Sequence, residues 1–200
     1  MKQESTVKYI LRLTFTLLII CAVVAGLLAA VNAITAPIIA EAKAEKTRQA
    51  IAAVIPYTEN LEEISFADET GMVSKVYRAV DWNALTSSQI VTVDMATYYA
   101  VEVAPSGFGG TITMMVGISG DGRVLGISII SHAETPGLGA VAAQNTDKGA
   151  AFREQFVGLM AGITIGDGEN QIDSLSGATI SSQAIVDGVN AALACAQKLG

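Results

Sequence analysis

A stretch without any charged residue runs from Leu13 to Ala40 and constrains this 200-residue chain more than any other feature. Its core, Leu13 to Val31, is long enough to cross the roughly 30 Å hydrocarbon layer of a membrane as a helix. Helices in the core of a soluble protein rarely remain apolar on every side for so long. The sequence therefore predicts one transmembrane helix over residues 13–33.

The charges that flank this run predict its orientation. Lys2, Lys8 and Arg12 precede it, whereas the far flank, 41–48, is mixed in sign. The positive-inside rule then places residues 1–12 in the cytoplasm and the bulk of the chain on the outer or periplasmic side of the cell (inner) membrane, in a single-pass topology. A cleaved signal peptide is the alternative, because 31–33 resembles a cleavage site, although the apolar run exceeds the usual length of a signal.

The charge of the exported part excludes one class of partner. The whole chain carries −7, and residues 1–40 carry +2, from three basic residues and one acidic residue, which leaves −9 for the rest. Nucleic acid is therefore not an expected partner, because neutralising its phosphates requires an excess of lysine and arginine. The two cysteines, Cys21 and Cys195, have neither metal-ligand spacing nor the number needed for a disulfide framework.

Residues 34–56 are predicted to form a helical stalk after the membrane. We expect a new helix to start at Pro37, because a proline lacks only an N–H that the first turn does not use. The segment that follows is rich in good helix formers, and Pro56 is expected to stop it.

Residues 57–200 are predicted to form one exported domain of the α+β class, an antiparallel sheet with helices packed on it. Alternating apolar residues and an Asp-Gly turn at 119–122 predict a hairpin over Thr111 to Ile130. The residues expected to share one face of a strand are Tyr99, Val101 and Val103, then Ile112, Met114, Val116 and Ile118, and Leu125, Ile127 and Ile129 are expected to form a second face. Also predicted are a helix over 147–156 with Ala151, Phe152 and Phe156 inward, short strands at 163–165 and 171–175, and a last helix over 182–199.

The segment from Asp173 to Thr179 is the one that indicates chemistry. It has the composition of a strand end, a turn of small residues and a helix start. Gly177 permits unusual dihedral angles, and Thr179 presents a hydroxyl where the free N–H groups of a first helical turn can bind an anion such as phosphate. The alternative is an ordinary helix cap made by Thr179, Ser181 or Ser182.

This segment resembles the flavinylation motif of the FMN-binding domain family, which reads Asp, two variable residues, Ser or Thr, Gly, Ala, and Thr or Ser. In that family a flavin transferase takes FMN from FAD and esterifies its phosphate to the final hydroxyl. The resemblance implies that Thr179 carries covalent FMN through a phosphoester. It implies that the transferase recognises Asp173, Ser176, Gly177 and Ala178.

A second segment, 132–139, resembles the loop that approaches the flavin ring in the same family, Glu-Thr-Pro-Gly-Leu-Gly. The implied cofactor contacts are Glu134, Thr135, Gly137, Leu138 and Gly139. A purely structural loop is the alternative. The single histidine, His132, does not make a metal site by itself. Residues 107–110 also resemble the family, or they form only a flexible connection.

The pattern over nearly the whole chain most resembles the G subunit of the Rnf ion-translocating electron transport complex, which is related to the C subunit of the sodium-translocating NADH:quinone reductase. The resemblance implies a redox subunit that helps to couple ferredoxin/NAD electron transfer to Na⁺ or H⁺ translocation, with other membrane subunits as partners. We expect no complete active site and no catalytic residues in this chain, because it shows no nicotinamide site and no iron–sulfur cysteine pattern. The alternative is a stand-alone exported flavoprotein reductase or electron-delivery protein with covalent FMN.

Overall fold

The structure, a computed structural model, describes residues 6–56, 60–66, 68, 70–80 and 97–199. It divides the chain into two compact units, Met1–Glu45 and Lys46–Gly200. Of the predicted cytoplasmic segment 1–12, the structure describes residues 6–12, and Lys2 lies outside the described residues.

The first unit contains most of helix α1, Thr6–Val54, which is long and apolar enough to cross a membrane. The apolar side chains of this unit, such as Leu17 and Leu27, are exposed, as expected of a surface that lipid would cover. The predicted new helix at Pro37 is wrong, because α1 continues through this residue. A proline inside a helix removes one backbone hydrogen bond, and the turns on either side retain theirs.

The second unit is built on a five-stranded sheet in which each strand pairs antiparallel with the next in chain order. The predicted α+β class and the predicted hairpin are confirmed. The strands of this sheet are β1 Glu62–Glu63, β2 Val73–Val80, β3 Thr97–Val103, β4 Thr113–Ser119 and β5 Val124–Ser131. The remaining elements are a 3-10 helix Gly139–Ala143, α2 Asp147–Glu154, the parallel pair β6 Thr164–Ile165 and β7 Gln171–Ile172, and α3 Thr179–Gln197.

Helix α3 and the residues around α2 cover one face of this sheet and enclose the larger core. The helix residues Ile185, Val189 and Leu193 are fully buried in it. The two phenylalanines of the α2 region pack edge to face, with ring centroids 5.6 Å apart. The sheet contributes Val76, Tyr99, Val101, Val103, Met114, Val116, Ile118, Val124, Ile127 and Ile129.

Two predicted positions are wrong: Leu125 does not share a face with Ile127, and Ala151 does not point inward. Leu125 packs on the opposite side of the sheet, because an irregularity in the β4–β5 register pairs Gly117 with Gly126 but Ile118 with Val124. The extra residue of such a bulge reverses the alternation, so that Val124 takes the inward place. Ala151 is exposed, because the inward face of α2 runs through Gly149 and Phe152 instead.

The end of α1 covers the opposite face of the sheet. Ala50, Ile51, Val54 and Ile55 are all buried there, in a second, smaller core. The last part of the predicted stalk therefore packs within the second unit, which begins at Lys46.

Candidate functional site

The candidate site is organised by the start of α3. This helix begins at Thr179, three residues before the predicted start at Ser182. Its N-cap residue, Ala178, has no side chain that can cap, and no side-chain cap hydrogen bond is present. Ser182 Oγ instead accepts from the Leu175 N–H at 2.9 Å and donates to the Ala178 carbonyl at 3.0 Å. The N–H groups of the first turn are therefore left without a capping side chain.

The five fixed residues of the predicted attachment motif divide by exposure. Asp173, Ser176, Gly177 and Thr179 are exposed, whereas Ala178 is buried. Gly177 has a φ of +74°, a conformation that favours glycine, and an added Cβ would lie 3.2 Å from Leu138 Cδ2. Four of the five motif residues, including Thr179, are therefore accessible from solvent.

The side chain of Gln155 holds the beginning of this motif in place. Its Oε1 accepts from the Asp173 N–H at 2.7 Å, and its Nε2 donates to the Asp173 carbonyl at 3.5 Å. The backbone of Asp173 is therefore fixed, while its carboxylate remains exposed.

The predicted ring-approaching loop lies directly beside the helix start. The Thr135 carbonyl accepts from the N–H groups of Leu138 and Ala140 at 3.1 and 3.3 Å, and Gly137 has a φ of +78° within this turn. The side chain of Leu138 is 42% exposed. The space beside the Gly139 Cα is occupied by its neighbours, since an added Cβ would lie 2.5 Å from the Glu134 carboxylate.

Glu134 is a buried carboxylate that joins three segments. Its Oε2 accepts from the Ser181 hydroxyl at 2.5 Å, and its Oε1 accepts from the Gly109 N–H at 3.0 Å. Its backbone N–H donates to His132 Nδ1 at 3.2 Å. Ser181 was not predicted as a partner of this loop, because the two residues are 47 positions apart and no sequence pattern indicates such a contact.

The segment 107–110 forms a tight turn against this loop. The Gly107 N–H donates to the Gly110 carbonyl at 2.8 Å, and an added Cβ at Gly109 would overlap the Ala133 carbonyl. Between these glycines Phe108 projects outward and is 69% exposed. An aromatic side chain in a glycine turn is the sequence signal that could have indicated Phe108 as a site residue.

These segments enclose an open cavity of about 360 Å³. Phe108, Leu138 and Ile180 give it an exposed apolar rim. No lysine or arginine is among its lining residues. The predicted residues Glu134, Thr135, Leu138, Gly139, Gly177, Ala178 and Thr179 line the cavity together with the unpredicted Phe108, Ile180 and Ser181, whereas Asp173, Ser176 and Gly137 do not.

The residues present fit a flavin mononucleotide. Apolar side chains at the rim suit a flat aromatic ring, and an uncapped helix start suits a phosphate without requiring a basic side chain. Thr179 is exposed, begins the helix and lines the cavity. Within the described ranges, no group of three or more His, Cys, Asp or Glu residues could hold a metal ion.

Known proteins match the chain in both of its parts. Residues 107–194 match the FMN-binding domain family, and residues 1–54 match the family described as RnfG N-terminal region. The chain is 32% identical to the G subunit of the Na⁺-translocating ferredoxin:NAD⁺ oxidoreductase complex of Acetobacterium woodii, over 96% of this chain and 94% of that protein. It is also 32% identical to the G subunit of the ion-translocating oxidoreductase complex of Methanosarcina acetivorans, over 93% and 94% of the two chains.

Among solved structures, the chain is similar to the C subunit of the Na⁺-translocating NADH-quinone reductase of Parabacteroides distasonis. The identity is 15% and the TM-score 0.38, over 60% of this chain and 74% of that chain. A likeness at this level carries no argument about function.

Proposed function

The chain belongs to the family of G subunits of ion-translocating oxidoreductase complexes, and we propose that it is the membrane-anchored electron carrier of such a complex, with FMN esterified to Thr179. Three features support the proposal together: a family relationship over almost the whole length, a match to the FMN-binding domain, and one long apolar helix near the N-terminus.

The position of Thr179 in the structure supports this residue as the attachment site. It is the first residue of an uncapped helix, its side chain is exposed, and it lines the cavity. In the proposed maturation step the Thr179 hydroxyl loses its proton and its oxygen forms a bond to the FMN phosphorus of FAD. The bond from this phosphorus to the bridging oxygen of the pyrophosphate breaks, AMP leaves with that oxygen, and the proton passes to the solvent. A flavin transferase supplies the active site for this step, and the exposed Asp173, Ser176 and Gly177 form the surface that it reads.

The protein holds the cofactor in a fixed place, where FMN supplies reversible electron transfer in steps of one or two electrons. The covalent bond prevents loss of the cofactor on the outer side of the membrane. Phe108, Leu138 and Ile180 provide apolar surface that excludes water from a ring in the cavity. The direct electron donor and acceptor, the nicotinamide site and the passage of Na⁺ or H⁺ belong to other membrane subunits in this proposal.

The flavin domain is proposed to lie on the outer or periplasmic side, with the N-terminus in the cytoplasm. Lys8 and Arg12 lie at the N-terminal end of α1, ahead of the apolar run, and this asymmetry supports the orientation.

Mass spectrometry of the full chain, purified from cells that possess a flavin transferase, tests the attachment. We expect the tryptic peptide 154–198 to be heavier than its sequence by FMN less one water, with the fragment ions placing the addition on Thr179. Thr179→Ala should abolish the addition and leave the domain folded, while Thr179→Ser should retain part of it because the hydroxyl survives.

The matched control is Thr164→Ala, which removes another exposed threonine hydroxyl from the same peptide. This variant should keep the full addition. An unmodified wild-type peptide, or an addition that persists in Thr179→Ala, would refute the attachment site. Purification of the wild type without several multi-span membrane proteins would favour the stand-alone flavoprotein instead.

A further inference from the structure

Glu134 is unusual among the lining residues because it is an acid with only 6% of its surface exposed. Both of its carboxylate oxygens accept hydrogen bonds, one from the Gly109 N–H and one from the Ser181 hydroxyl. Both of these donors are neutral groups. No lysine or arginine is among the residues that line the cavity beside this carboxylate.

Two glycines lie close against this carboxylate. An added Cβ at Gly139 would lie 2.5 Å from Glu134 Oε2, and an added Cβ at Gly107 would overlap Oε1 and lie 2.7 Å from Ile112 Cδ1. Each of these glycines comes from one of the two loops that flank the cavity. The two loops therefore pack directly against the carboxylate and leave no space for a side chain at either glycine.

We propose that Glu134 is a positioning residue with an electrostatic role: it fixes the Phe108 turn and the first turn of α3 across the cavity, and its buried charge lowers the midpoint potential of a flavin held there. The proposal rests on the proposed function, since it assumes that the cavity receives FMN. Ser181 is the second residue after Thr179 in the same helical turn, so the Glu134–Ser181 bond also fixes the proposed attachment point.

The sign of the electrostatic effect follows from the charge. Reduction adds electrons to the flavin, and a fixed negative charge at the wall of a partly water-free cavity makes this addition less favourable. Removal of the charge should therefore shift the midpoint potential to more positive values. A change that removes the charge but keeps both hydrogen bonds separates this effect from the positioning of the loops.

Glu134→Gln is such a change. The glutamine oxygen can accept from the Gly109 N–H, and its NH₂ group can donate to the Ser181 oxygen. With the full chain purified in detergent and loaded with flavin, we expect attachment at Thr179 as in the wild type and a midpoint potential shifted to a more positive value. The matched control is Asp187→Asn, which removes an exposed negative charge from α3 and should leave the potential unchanged.

Hydrogen exchange measured in the flavin-free Thr179→Ala background tests the positioning. Glu134→Ala should accelerate exchange in peptides covering 107–111 by about tenfold, the loss expected for one hydrogen bond of ordinary strength. Glu134→Gln should leave this exchange within a few-fold of its parent.

A potential that is unchanged or more negative in Glu134→Gln would overturn the electrostatic role. Unchanged exchange in Glu134→Ala would overturn the positioning role. Flavin missing from Thr179 in the wild type would instead refute the proposed function, and the exchange measurement on the flavin-free chain would still decide whether Glu134 holds the loops.

Discussion

The contact between the end of α1 and the sheet depends on a glycine that can be tested directly. Gly117 of β4 lies beneath the last residue of α1, Val54. A Cβ added at Gly117 would lie 2.7 Å from the carbonyl carbon of Val54 and 2.9 Å from its Cβ, and closer still to its carbonyl oxygen. Because the obstacle includes backbone, Gly117→Ala must push the helix end away from the sheet.

The expected loss lies between two limits. Overpacking a core without loss of contacts costs typically about 1–3 kcal/mol. Complete separation would expose Ile51, Val54 and Ile55, each contributing about 1.5–3 kcal/mol through burial, or about 6 kcal/mol together. A displacement on the order of 1 Å preserves part of this burial. We therefore expect Gly117→Ala to lower the free energy of unfolding by about 3 kcal/mol.

Pulse proteolysis of the full chain in detergent and urea measures this loss. With a urea dependence of about 2 kcal/mol per molar, the midpoint should fall by about 1.5 M. The matched control is Gly126→Ala, at the position paired with Gly117 across the hairpin. There an added Cβ would lie 3.8 Å from Val54 Cα, an ordinary contact, so the stability should stay within about 0.5 kcal/mol of the wild type. Equal midpoints for the two variants would refute the reasoning.

Two further predictions concern topology and the helix start. A cysteine introduced by Lys148→Cys, at an exposed position of α2 in a chain whose two natural cysteines are replaced by alanine, should react with an impermeant maleimide while the inner membrane is intact. Reaction only after the inner membrane is breached would refute the proposed orientation. Ser182→Ala should lower the free energy of unfolding by about 1–3 kcal/mol, because the Leu175 N–H loses its acceptor, and unchanged pulse proteolysis would contradict this.

The sequence was sufficient to predict the class of the fold and most of the residues that share a face of a strand. Residues two apart in β3 and β4 share a face without interruption, and the predicted faces through Val101 and Val116 are confirmed. The alternation of faces along β5 is wrong at Leu125, because the β4–β5 pairing contains a bulge there. A bulge depends on how two strands pair, so the sequence pattern of one strand cannot predict it. Pro37 misled the prediction for a different reason, since the rules for proline describe a cost and do not forbid a continuous helix.

The candidate site was predictable where residues are neighbours in the chain and not where they meet through the fold. Gly177 and Thr179 lie in one motif, so their roles at a turn and a helix start could be proposed from the sequence alone. The bonds from Glu134 to Gly109 and Ser181 join segments 25 and 47 positions apart. Only the packing of two loops against α3 brings these groups together.

The start of α3 favours cofactor binding over an ordinary helix cap as the role of this segment. An uncapped helix N-terminus is less stable by typically about 1 kcal/mol than one capped by a serine or threonine. Ser181 and Ser182 stand within the first turn, yet one hydroxyl is bonded to Glu134 and the other to Leu175 and Ala178. The backbone N–H groups of Thr179, Ile180 and Ser181 therefore remain available to bind a ligand. All three residues line the cavity. A phosphate esterified to the Thr179 hydroxyl would be an acceptor for these groups, so that in the proposed flavin-loaded protein the cofactor caps the helix that carries it.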